Sequence, residues 1–136
     1  MTMAGESNAA SVRGTPRIIL RVEGLVVAAL CIWLFARIGE PWWLFAVLLL
    51  VPDLSMLGYF GGPALGATSY NLFHTLAVPI VVILAALAST SNAALAIGLI
   101  WCTHIGIDRA LGYGLKYPSR FADTHLGWIG RPRKAE

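Results

Sequence analysis

Charge is what this chain lacks. Between Pro41 and Ile107 only Asp53 carries a formal charge, and across all 136 residues just 12% are Asp, Glu, Lys or Arg. Soluble domains hold about a quarter. The chain is 57% hydrophobic with a mean hydropathy of +0.71. A globule this small could not hide that apolar surplus, because short chains keep much of their surface exposed. The composition excludes an ordinary water-soluble domain and leaves a lipid bilayer as the solvent.

Other absences narrow the possibilities. The two cysteines, Cys31 and Cys102, sit inside apolar runs and form no CxxC pair, so small buried side chains are expected rather than a disulfide or a CxxC site. The net charge of +3 comes from cations gathered at the two ends, with no basic face interleaved with stacking aromatics. No nucleic-acid partner is therefore expected. No lysine follows the glycines of "GGPALGAT", and there is no GxSxG or HExxH, which removes the commonest nucleotide, serine-hydrolase and zinc-protease signatures. A cleavable signal peptide is not expected either. The apolar run starts late, carries Arg21 and Glu23 near its start, and lacks a small-residue cleavage site.

What remains is four apolar segments, Ile18–Ile38, Pro41–Gly61, Ala64–Ser89 and Asn92–Tyr117. Each approaches the ~20 residues that cross ~30 Å of hydrocarbon as a helix. The breaks "GEP", "GGP" and "STSN" are tight turn chemistry, which forces antiparallel neighbours. The expected fold is all-α, a transmembrane up-down four-helix bundle over residues 17–117. A flexible tail (1–16) precedes it and an interfacial tail (118–136) follows. Arg13 and Arg17 precede the first helix, and Lys116, Arg120, Arg131, Arg133 and Lys134 follow the fourth, while the opposite connections hold only Arg37. The positive-inside rule then puts both termini in the cytoplasm of a cell whose inner membrane holds the protein.

The few polar residues form a layer. At 1.5 Å per residue, Asp53 lies roughly 13 Å from the inner face, His74 roughly 15 Å, His104 roughly 12 Å, Asp108 roughly 6 Å and Glu23 roughly 8 Å. Each of the four helices contributes at least one ionisable group to the same half of the bilayer. Ionised groups at such depth face the bundle interior and pair with one another. Asp53, His74, His104 and Asp108 form the expected ligand set for a divalent ion such as zinc, manganese or iron. His104 and Asp108 are spaced i, i+4, so one helix supplies two ligands, or Asp108 orients His104 from behind. Asn71, one turn below His74, and Arg109 belong to the same layer. Glu23 or His125 would handle protons. Two further readings stay open: cross-helix hydrogen bonds that only lock the bundle, and a proton or ion path.

On the fourth helix Ala94, Gly98, Cys102, Gly106, Ala110 and Gly114 recur every four residues, a stripe that admits a close helix neighbour, including one from a second copy. Pro52 should kink the second helix beside Asp53. The tail "PSRFADTHLGWIG" carries apolar anchors and could fold over the polar layer, bringing His125 with it. Membrane lipid is the other expected partner.

Taken together, "LRVEGL", "VPDLSMLGY", "YNLFHT" and "HIGIDRALGYGLKYPSRFADTHLGWIG" resemble a family of small bacterial four-helix membrane proteins known only as a domain of unknown function, over about residues 18–130. That resemblance implies an integral membrane protein and no particular activity. The order PD, then His, then HxxxD is also loosely similar to bacterial inner-membrane proteins assigned as metal-dependent hydrolases. Their His-Arg-Gly-x-Thr-His-Ser type motif is missing here, so hydrolysis enters by analogy alone.

Overall fold

The computed structural model describes residues 11–130. It is an all-α bundle of four segments, each long and apolar enough to span a membrane: Gly14–Ile38, Trp42–Gly61, Pro63–Ser89 and Asn92–Leu111. Two of the four are not single helices.

The first segment is one helix, α1 (Gly14–Ile38), closed by Gly39 in the left-handed region. It begins three residues earlier than the expected tail boundary, and residues 1–10 lie outside the described range. Its buried positions, Gly24, Ala28, Cys31 and Phe35, recur at intervals of three and four, the stripe of a helix facing one neighbour. That neighbour is α5 (Asn92–Leu111), the central element of the bundle. Half of the apolar window of α5 is buried, against 17–22% for the other three segments. The outward faces of those three carry leucine, isoleucine, valine and aromatic side chains, the surface that lipid would solvate.

Two glycines of the small-residue stripe of α5 are met from within the chain. A Cβ on Gly106 would stand 2.6 Å from the Gly24 carbonyl oxygen and 2.8 Å from the Ala28 nitrogen, and one on Gly98 would stand 2.5 Å from Ile83. Helix α1 crosses at Gly106, and α4 (Ala77–Ser89) packs at Gly98. The close neighbours that the stripe admits at these two glycines are helices of the same chain, where the sequence allowed a second copy.

The second segment departs most from expectation. An α-helix, α2 (Trp42–Leu48), gives way to an 11-residue 3-10 helix, Val51–Gly61. Pro52 has no amide hydrogen and its ring crowds the carbonyl four residues back, so the α ladder cannot continue. A 3-10 helix repeats every three residues, and the side chains follow that period. Pro52 and Ser55 are buried and Gly58 lies against Ser69, while Leu54, Leu57 and Phe60 all point outward. The expected kink is a change of helix type.

The third segment is also divided, into α3 (Pro63–His74) and α4, with Thr75 extended between them. Pro79 explains the break, since it cannot bond to the Thr75 carbonyl. Carbonyls freed at membrane depth need partners from protein, and α5 provides them. Trp101 Nε1 donates to the Phe73 carbonyl at 2.6 Å, and Arg109 donates to the His74 carbonyl at 2.9 Å.

Helix α5 ends at Leu111, six residues short of the expected Tyr117. Gly112 adopts φ +93°, and the Tyr113 and Gly112 amides close back onto the Asp108 and Arg109 carbonyls, a Schellman stop. The chain then turns under the bundle into a two-stranded hairpin, β1 (Asp123–Thr124) with β2 (Gly127–Trp128). The Val12 amide donates to the His125 carbonyl at 2.8 Å, so the two ends of the described chain meet at one end of the bundle. Arg131, Arg133 and Lys134 lie outside the described residues.

Candidate metal centre

Two of the three histidines and two of the seven carboxylates come together at one point. Asp53 arrives from the first turn of the 3-10 helix, His74 from the last residue of α3, and His104 and Asp108 from successive turns of α5. The break after His74 ends α3 at the height of the cluster. The i, i+4 spacing on α5 sets the other pair side by side.

The distances are tight. His74 Nε2 lies 3.1 Å from His104 Nε2, 3.5 Å from Asp53 Oδ1 and 3.6 Å from Asp108 Oδ2. His104 Nε2 lies 3.4 Å from each of the same two oxygens. All four atoms fall within 4.8 Å of one another. A tetrahedral site with ligands ~2.0–2.1 Å from the ion has ligand-to-ligand edges of about 3.3–3.4 Å. The five measured edges scatter around that figure.

Hydrogen bonding behind the cluster decides what its atoms offer. His74 Nδ1 is 2.8 Å from the Tyr70 carbonyl, which can only accept, so the ring proton sits on Nδ1 and the Nε2 lone pair faces the cluster. His104 also turns its Nε2 to the cluster. Two imidazole Nε2 atoms and two carboxylates then converge, and the His74 nitrogen brings a lone pair. Four acceptors this close repel unless a cation or shared protons lie among them. Both rings are essentially buried, and Asp108 is 14% exposed, but Asp53 is 38% exposed. Asp53 is the exposed member of the group.

Around this core the other expected residues take separate places. Asn71 pins the tail, donating to the Lys116 carbonyl at 2.8 Å and accepting from the Lys116 amide at 2.7 Å. Arg109 braces the helix break and also donates to the Tyr113 carbonyl. Glu23 is exposed on α1, in a groove shared with Arg109 and His125, and is not one of the four converging residues. His125 accepts from the Leu115 amide at Nδ1, 2.8 Å away, so its neutral ring carries the proton on Nε2 and cannot accept one there. Burial, reinforced by the nearby Arg109 charge, lowers its pKa.

Tyr70 and Lys116 were not anticipated. The Tyr70 ring stacks on His74 with centroids 3.6 Å apart, and its hydroxyl donates to Asp108 Oδ2 at 3.4 Å. The Tyr70 spacing in "YNLFH", four before His74, was the available signal. Lys116 is buried with Nζ 4.7 Å from the Tyr70 ring centroid and bonded to the Phe121 carbonyl. Desolvation pushes its pKa down to about 8. No spacing rule could have brought a tail lysine here.

Residues 17–129 match the family described as a domain of unknown function (DUF4260). The chain belongs to the DUF4260 family. The match spans every element that builds the cluster, from α1 to the hairpin, so the polar group lies within the family domain. No curated protein and no solved structure matches the chain.

Proposed function

We propose that this DUF4260 protein is a multi-pass inner-membrane protein that binds one divalent metal ion through Asp53, His74, His104 and Asp108. The observation that carries the reading is the set of five donor-to-donor edges between 3.1 and 3.6 Å, with the His74 tautomer held from behind by the Tyr70 carbonyl. Two nitrogens and two oxygens suit zinc, manganese or iron. Both termini face the cytoplasm in this reading. It is supported by the joined ends of the described chain and by Arg13, Arg17, Lys116 and Arg120 gathering there, against Arg37 alone among the described residues at the other end.

The exposure of Asp53 favours a working site over a closed structural one. An ion held there would polarise a substrate carbonyl or phosphoryl oxygen and acidify water, which makes hydrolysis of a membrane-accessible substrate the proposed chemistry. Tyr70 acts as a positioning residue, fixing Asp108 through its hydroxyl and His74 through its ring and carbonyl. The site lies below the break where Arg109 and Trp101 hold the α3 carbonyls, so its walls are braced by α5.

Metal content of the detergent-purified protein, read by mass spectrometry, tests the proposal. About one ion per chain is expected in the wild type and in His125→Ala. Far less is expected in His74→Ala and His104→Ala, since even losing a residue that only orients a ligand costs about 10–100-fold in affinity. A wild type without stoichiometric metal, or ion retained in both cluster variants, would reject it in favour of a hydrogen-bonded polar lock.

A further inference from the structure

A second polar feature lies at the same end of the bundle, away from the cluster. Arg17 and Arg21 are spaced i, i+4 on α1 and share a face. Their guanidinia converge beside Gly112: Arg17 Nη2 is 3.4 Å and Arg21 Cζ 3.9 Å from the point where a Gly112 Cβ would stand. Arg17 also lies flat against Gly127, its Cζ 3.6 Å from the corresponding point there. Both glycines have positive φ, +93° and +115°, and the guanidinia rest against these two turns in ordinary van der Waals contact. Arg21 Nε donates to the Ala110 carbonyl at 2.8 Å. Arg17 Nε is buried with no acceptor. Among the described residues no carboxylate forms an ion pair with either arginine.

Two adjacent cations repel each other until an anion joins them. The surface next to them is apolar. A groove of about 260 Å³, lined by Ile18, Arg21, Val22, Leu25 and Ala110, runs from Arg21 along α1 toward mid-helix. The groove of about 610 Å³ that holds Glu23, Arg109 and His125 shares Ile18 and Val22 with it, and its remaining wall is apolar, along Ile19, Val26 and Val27. A free inorganic anion would use the arginines and leave the grooves unused. A molecule with an anionic head and a hydrocarbon chain uses both.

We propose that this corner binds an anionic phospholipid, its phosphate held between Arg17 and Arg21 and an acyl chain laid along Ile18, Val22 and Leu25. The site rests on the membrane orientation proposed above and is independent of the metal. Paired guanidinia at the cytoplasmic interface are suited to that headgroup, by charge and by bidentate geometry.

The test is native mass spectrometry of delipidated protein in neutral detergent, offered equal amounts of phosphatidylglycerol and phosphatidylcholine. The wild type should retain one phosphatidylglycerol with a preference of roughly tenfold or more. Arg17→Gln/Arg21→Gln should bring the ratio near one, while Arg120→Gln, a charge control in the exposed tail, should leave it unchanged. Val22→Trp fills the groove with both arginines in place and should lower retention of either lipid. No preference in the wild type, an unchanged preference in the double variant, or full retention in Val22→Trp would overturn the site. So would displacement of the lipid by an equal concentration of inorganic phosphate, which would assign the arginines to a free anion. Failure of the membrane reading would look different: the protein would leave the membrane fraction without detergent.

Discussion

Asp53→Asn separates a metal site from a hydrogen-bonded lock by the sign of its effect. Asp53 Oδ1 lies 3.5 Å from His74 Nε2 and 3.4 Å from His104 Nε2. If the cluster is held by a protonated imidazole, the carboxylate is its counter-ion. Breaking a buried pair costs about 3–5 kcal/mol; with the Asp53 side chain 38% exposed, water offsets part of this, and about 1–2 kcal/mol is the expected loss. If the cluster is built for a metal, the metal-free wild type holds four crowded acceptors, and removing one negative charge leaves stability unchanged or raised. The metal then supplies its own increment. At a free concentration a hundred times Kd this is about 2.7 kcal/mol, or about 10 °C in melting temperature for a chain of this size. Thermal unfolding in detergent, with chelator and with added zinc, reads both quantities. The expected result is a wild type that gains about 10 °C with zinc. The Asp53→Asn variant should match or exceed the wild type in chelator and gain almost nothing from the ion. A variant already less stable than the wild type in chelator would refute the reasoning.

Three further outcomes follow from packing and from the tail. Gly106→Val would drive a side chain into the Gly24 carbonyl, 2.6 Å from its Cβ position; overpacking of this kind costs about 1–3 kcal/mol, which a lowered melting temperature would register. Asn71→Ala removes both hydrogen bonds to the Lys116 backbone and leaves a buried amide and carbonyl unpaired, at about 1–3 kcal/mol each. Trypsin should then cut sooner at Arg120, with the bundle's own melting little changed. Lys116 titrates near 8 in the folded chain against 10.5 ordinarily, so between those values the unfolded chain binds more protons. Tail docking should therefore strengthen as pH rises from about 8 to 10.5, and Lys116→Met should abolish that dependence in amide hydrogen exchange of the hairpin.

Lengths and composition were legible because they are properties of the chain in one dimension. The absence of charge from Pro41 to Ile107, Asp53 apart, and four runs of spanning length require a bundle of apolar helices, whatever their packing. The pairing of His104 with Asp108 was equally local, since both lie on α5 one turn apart. Part of what went unread was also present. Pro52, Ser55 and Gly58 recur every three residues, as do Leu54, Leu57 and Phe60, and that period belongs to a 3-10 helix. Reading the segment with an α period hid it. Pro79 likewise marked the break in the third segment.

Other features required the folded chain. Nothing local says that the Gly98 and Gly106 faces of α5 are covered by α4 and α1 of the same molecule, because a small-residue stripe accepts any close neighbour. Nor does any spacing place Asn71 on the Lys116 backbone or engage His125 Nδ1 with Leu115, since those bonds depend on where Gly112 turns the tail. Sequence by itself determined four membrane-length segments and a shortlist of polar residues at similar depth. Only the tertiary structure decided that Asp53, His74, His104 and Asp108 share one point while Glu23 stands apart, because convergence depends on helix rotation and crossing, which hydrophobic length does not encode.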